Sequence, residues 1–83
     1  MLKIDFYTKD NCALCEEAAA LLNIFKSEYS FEIEEKDIYT NDAWLEEYQL
    51  LIPAIRMNNT LITCQEMDYE TLDKLFRENM KSN

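Results

Sequence analysis

Apolar and polar side chains alternate from Leu2 to Thr8, and the stretch thickens to Phe6-Tyr7 near its end. That is the pattern of a strand lying inside a sheet. Lys9-Asp10-Asn11 interrupts it, and from Cys12 the period lengthens. Leu14, Ala18, Leu21, Leu22 and Phe25 recur at helical steps and make one apolar face. Asn11 is the expected N-cap, and Glu16 and Glu17 fall where the helix dipole favours acids. The helix is expected to fade near Glu28–Ser30. Phe31 and Ile33 begin a second alternating strand that runs to about Asp37. Thr40 or Asn41 can cap a short helix carrying Trp44, Leu45 and Tyr48. Leu50-Leu51-Ile52 then leads into Pro53. Ala54–Met57 and Leu61–Cys64 flank Asn58-Asn59-Thr60, which reads as a hairpin turned without glycine, because Asn tolerates positive φ. Asp68 caps a last helix with Tyr69, Leu72, Leu75, Phe76 and Met80 on its apolar face. Tyr7, Trp44, Tyr48 and Tyr69 read as core aromatics.

The predicted order is β-α-β-α-β-β-α. Two strands joined through a helix run parallel with a right-handed crossover, whereas hairpin strands are antiparallel. The expectation is one α/β domain over residues 1–83, with a mixed four-stranded sheet flanked by three helices. The chain of 83 residues has room for one domain of this kind, and no linker, repeat or low-complexity segment divides it.

Composition narrows the function. With 8 basic and 17 acidic side chains the net charge is −9. A nucleic-acid binder needs a basic footprint, and an anionic membrane surface repels such a chain, so neither partner is expected. No apolar run approaches the roughly 20 residues of a membrane span. Asp5 interrupts the apolar N-terminal stretch, and no small-residue cleavage site follows, against a secretory signal. The expected location is cytoplasmic and the expected state monomeric. There is no histidine, so the commonest general base near neutral pH is missing. Chemistry falls to cysteine, acids, lysine or tyrosine.

Two of the three cysteines supply it. Cys12-Ala13-Leu14-Cys15 stands where the first strand hands over to the first helix. The first N–H groups of a helix have no partner within it, and with the dipole they favour an anion. A thiolate at Cys12 is such an anion, and thiolate is the attacking species in disulfide exchange. Cys15, one turn on and partly beneath, is expected to be more buried. It can attack Cys12 once a mixed disulfide forms there and so release reduced substrate. Lys9 adds positive charge nearby, while Asp10, Glu16 and Glu17 oppose it, which favours a reductant over a strong oxidant. A structural zinc site wants four ligands, and one further Cys without His does not provide them, so no metal is expected. Inert core thiols, or a binding module that keeps the pair without using it, are the other readings.

Phe6-Tyr7-Thr8-Lys9-Asp10-Asn11-Cys12-Ala13-Leu14-Cys15 resembles the opening of a glutaredoxin. Tyr48-Gln49-Leu50-Leu51-Ile52-Pro53-Ala54-Ile55 resembles the approach to the cis-proline of the thioredoxin superfamily. The chain looks most like very short bacterial glutaredoxin-like proteins, over about Leu2 to Phe76. The resemblance implies a thioredoxin-like, glutaredoxin-like fold and a thiol–disulfide oxidoreductase with Cys12 as nucleophile and Cys15 as resolving thiol. It implies that the Ile52–Pro53 bond is cis and packs against Cys12. It also implies that Ile52 offers its backbone to the substrate's cysteine, and that Lys9 holds a glutathione carboxylate. Substrates would be protein or low-molecular-weight disulfides. No tightly bound cofactor is implied. Glutathione is an open co-substrate, and a thioredoxin-reductase-like protein is the other candidate to recycle the pair. Three departures stand out. The residues between the cysteines are Ala-Leu, the family's Gly-Gly pair is replaced at Thr63 and Cys64, and the surface is strongly acidic. Cys64 is expected to end the second hairpin strand on the active-site side, as a third redox thiol, a site for glutathionylation or a small apolar filler. The rival to an enzyme is a redox-inactive protein-interaction module of the same fold.

Overall fold

The computed structural model describes residues 2–80. Strand β1 (Leu2–Thr8) leads into helix α1 (Ala13–Lys26), which returns to β2 (Phe31–Asp37). A 3-10 turn (Ile38–Thr40) and α2 (Asp42–Tyr48) follow, then β3 (Ala54–Met57), β4 (Thr60–Ile62), a second 3-10 turn (Cys64–Glu66) and α3 (Tyr69–Asn79). The strands lie in the order β2-β1-β3-β4. β1 pairs with β2 in parallel, Leu2 beside Phe31 through Thr8 beside Asp37. β3 pairs antiparallel with both β1 and β4. The expected element order, mixed sheet and interior β1 are all present.

Alternation along the strands decides which helix covers which face. Ile4 and Phe6 of β1, Ile55 and Met57 of β3, and Phe31 of β2 are buried with Ala18, Leu22 and Phe25 of α1 and Leu72, Leu75 and Phe76 of α3. The opposite face carries a smaller cluster of Tyr7, Ile38, Tyr48 and Ala54 under α2. Tyr7 stacks on Tyr48 at 3.9 Å between ring centroids. Burial and the adjacent Tyr48 push the Tyr7 phenol up to about 12, so it stays protonated at neutral pH and supplies no base. Away from α2 this face is polar, with Lys36 paired to Asp5 at 3.2 Å and Lys3 to Glu34 at 2.8 Å.

Several boundaries differ from the sequence reading. Cys12, not Asn11, caps α1, and Asn11 instead takes a left-handed turn at φ 54°. With no glycine in the chain, asparagine takes that position, and Asn58 does the same at φ 55° in the hairpin. The helix ends at Lys26, with Ser27 closing it. Thr60 joins β4 opposite Met57. Cys64 lies outside the strand and opens the 3-10 turn, because the Glu66 carboxylate accepts from the Thr63 N–H (3.2 Å) and bends the chain there. Of the aromatics expected in the core, Tyr69 is exposed and Trp44 half-buried. Tyr69 still stacks on Phe25, but at the edge of the cluster and hydrogen-bonded to Glu28.

Two caps yield predictions. Asn41 Oδ1 accepts from the N–H groups of Ala43 (2.9 Å) and Trp44 (3.3 Å). Asn41→Ala is expected to cost about 1 kcal/mol, read as a lower urea midpoint at unchanged m-value. The Asp68 carboxylate accepts from the Thr71 N–H at 2.7 Å, which holds its carboxyl below the usual value of 3.8. A carboxyl lowered by folding stabilises the protein above its unfolded value, and that contribution disappears as pH falls through the folded one. Asp68→Asn is therefore expected to shrink the stability lost between pH 7 and pH 3, measured by urea unfolding at both.

Candidate active site

The site begins at the end of β1, where the chain must turn before α1. The Lys9-Asp10-Asn11 turn leaves Cys12 in extended backbone at the N-cap (φ −124°, ψ 107°). From there its sulfur takes the place of the oxygen of a usual cap and accepts from the Cys15 N–H at 3.2 Å. The Cys15 N–H is one of the first amides of the helix, which have no partner within it, and the sulfur supplies that partner. The cap thus stands one residue later than expected, at Cys12. All three cysteines are free thiols.

Cys15 faces the core side of α1 and is only 3% exposed. Burial pushes its thiol up, with the neighbouring Cys12 sulfur adding to the effect, while the Thr8 hydroxyl and Lys9 backbone pull it back. The two sulfurs are therefore unlike in surroundings. The half-buried Cys12 sulfur meets a backbone amide, and that of Cys15 is shielded from water. At pH 7 a limiting dose of iodoacetamide is expected to label Cys12 and spare Cys15, as read by peptide mass mapping. Labelling of Cys15 should lag behind that of Cys12 and grow as pH rises, because burial pushes its thiol up.

Of the other residues named from the sequence, Pro53 and Cys64 line one cavity and Lys9 another. Pro53, Cys64, Leu14, Glu17, Ala18, Leu21 and Met67 line a cleft of about 200 Å³. The Ile52–Pro53 bond is cis and Pro53 is buried. Cys64 is brought to it by one backbone bond, its N–H donating to the Leu51 carbonyl at 3.0 Å. Lys9 lies elsewhere, on a cavity of about 220 Å³ shared with Thr8, Cys15, Glu16, Glu35 and Asp37 among others. Ile52 and Thr63 line neither cleft. The Ile52 N–H donates to the Tyr48 carbonyl at 3.2 Å, so a backbone pairing there would fall to its carbonyl oxygen. Among the described residues no cluster of His, Cys, Asp or Glu has the grouping of a metal site.

Leu14 departs most from the sequence reading. It shares the helical period of the core positions yet is 58% exposed, because the buried face of α1 runs through Cys15, Ala18, Leu22 and Phe25 and leaves Leu14 at its edge. Glu35 and Asp37 escaped notice as neighbours of Cys15. Their signal is in the alternation of β2, where the face that begins Phe31, Ile33 continues Glu35, Asp37. The acids occupy positions that continue an apolar stripe, at the end of the strand beside Thr8.

A mixed four-stranded sheet in this order, with paired thiols at the head of the first helix and a cis-proline leading into β3, defines a small protein of thioredoxin-like fold. A family model for the glutaredoxin-like domain (DUF836) matches residues 3–77, and the chain belongs to that family. It superposes on a mutant thioredoxin from Halobacterium salinarum NRC-1 with a TM-score of 0.74 at 12% identity, over 99% of this chain and 77% of that one. A malarial protein is similar over 98% of this chain and 99% of its own, with a TM-score of 0.71 at 12% identity. At such identity the likeness is one of fold. No helix among the described residues is long and apolar enough to cross a membrane.

Proposed function

We propose that the protein is a thiol–disulfide oxidoreductase that reduces protein or low-molecular-weight disulfides through Cys12 and Cys15. The observation that carries the reading is the Cys15 N–H donating to the Cys12 sulfur at the helix N-terminus, with the second sulfur buried one turn beneath. The Cys12 thiolate attacks one sulfur of the substrate disulfide. A bond forms from Cys12 to that sulfur, the substrate S–S bond breaks, and the departing thiolate takes a proton. Cys15 then loses its proton to solvent and attacks the Cys12 sulfur, and the second substrate thiolate leaves and is protonated. The substrate has gained two electrons and two protons, and the protein holds a Cys12–Cys15 disulfide. A thiol such as glutathione, or a thioredoxin-reductase-like protein, returns the pair to the dithiol. The carbonyl of Ile52 accepts from the substrate backbone in this reading. The reducing cytoplasm is the compartment that suits it.

The test is a redox titration of the purified protein in graded mixtures of reduced and oxidised dithiothreitol, read by mass. The expected result is loss of two hydrogens from the peptide holding Cys12 and Cys15, with a two-electron slope. A pair that stays reduced in fully oxidised buffer leaves the interaction-module reading in its place.

A further inference from the structure

Cys15 must give up its proton before it can attack a mixed disulfide, because the thiolate is the nucleophile, yet it is 3% exposed. Its opening is the cavity of about 220 Å³ between α1 and the ends of β1 and β2. Cys15 lines that cavity and Cys12 does not, so it reaches the resolving sulfur away from the sulfur that carries the substrate. The Thr8 hydroxyl and the Lys9 backbone hydrogen-bond to the Cys15 sulfur. Across the two strands Thr8 pairs with Asp37 and Phe6 with Glu35. The charged groups around the opening are Lys9 and Asp10 of the turn, Glu16 of α1, and Glu35 and Asp37 of β2. Asp37 is committed, its Oδ1 accepting from the Tyr39 N–H at 2.9 Å. Glu16 follows Cys15 directly and so leaves the helix about 100° further round. Glu35 stands on the strand face that begins Phe31, Ile33, which packs under α1, and it is itself exposed. It therefore joins the inside of the cavity to water.

Resting on the oxidoreductase reading, we propose that this cavity is the proton exit of the resolving step, with Thr8 as relay and Glu35 as acceptor. The Cys15 S–H passes its proton to the Thr8 oxygen, while the Thr8 O–H passes its own, through water in the cavity, to the Glu35 carboxylate. The Cys15 thiolate attacks the Cys12 sulfur. The Cys12–Cys15 bond forms, the bond from Cys12 to the substrate breaks, and the substrate leaves as a thiolate that is protonated by solvent. Glu35 then returns its proton to solvent. The substrate disulfide remains the oxidant, and no other group changes its oxidation state.

The test mixes reduced protein with dipyridyl disulfide in a stopped-flow instrument and follows the thione released, in a Cys64→Ser background so that only the pair reacts. The first equivalent reports attack by Cys12, and the second reports resolution by Cys15. Glu35→Gln is expected to slow the second release about tenfold, below the about 10²–10⁴-fold usual for a positioned base, because water competes at an exposed carboxylate. Added imidazole, a small base, should restore that release in proportion to its concentration and leave wild type unchanged, a response that a merely structural loss does not give. Thr8→Val keeps the shape without the hydroxyl and should slow the same phase, while Thr8→Ser should recover it. A second release at the wild-type rate in Glu35→Gln or Thr8→Val, or one slowed but indifferent to imidazole in Glu35→Gln, overturns the proton exit. The dithiol reading then stands, since both equivalents still appear. A wild type that releases a single equivalent removes both.

Discussion

Cys12→Ser is expected to bring the reduction of insulin disulfides down to the rate of the added reductant alone, and Cys15→Ser to accumulate a stable mixed disulfide at Cys12. The two outcomes differ because the fold treats the two sulfurs differently. Removing Cys12 removes the sulfur that accepts a helix amide at 3.2 Å. Cys15 cannot take over. It is 3% exposed, and burial pushes its thiol above the ordinary cysteine range, so the thiol form is favoured. Its role needs neither exposure nor an ionised resting state. Once substrate is joined to Cys12 the next attack is intramolecular, and a high effective concentration offsets the small thiolate fraction. Without Cys15 the mixed disulfide has no internal attacker and persists until an external thiol arrives. The measurement is insulin turbidity for turnover, with non-reducing gels and mass mapping for the trapped species. Turnover retained by Cys12→Ser, or a mixed disulfide mapping to Cys64, would sink the assignment.

The second large effect concerns the aromatic cluster that holds α1 and α3 on the sheet. The Phe76 ring is fully buried and lies 4.6 Å from that of Phe31, 5.0 Å from Phe25 and 5.2 Å from Tyr29. Phe76→Ala loses that contact with a helix, a strand and the α1–β2 connection at once and leaves a cavity, for a cost of about 3–5 kcal/mol. A domain of 83 residues has about 4–12 kcal/mol in total at the usual about 0.05–0.15 kcal/mol per residue. The variant is therefore expected to be largely unfolded or to melt far below the wild type, as followed by circular dichroism. Leu50→Ala is the contrast. Leu50 is 87% exposed, and its loss should change stability by under about 0.5 kcal/mol.

The sequence by itself determined the order of elements, the parallel pairing of the first two strands and the place of the dithiol. Each of these is written locally. Alternation marks Leu2–Thr8, the change of period at Cys12 marks the helix start, and Asp68 marks the last cap through its own side chain. Tertiary structure decided what lies beside the dithiol. Nothing near Leu14 in the chain says that the buried face of α1 runs through Cys15 instead and leaves Leu14 58% exposed. The Cys64 amide reaches the Leu51 carbonyl only because the sheet places the end of β4 beside the approach to Pro53. The same packing sends Lys9 to one cavity and Pro53 to the other, and sets two acids of β2 near Cys15. Periodicity reports which face of an element is apolar, whereas the surroundings of a sulfur depend on which elements meet there, and that is fixed only when the chain has closed.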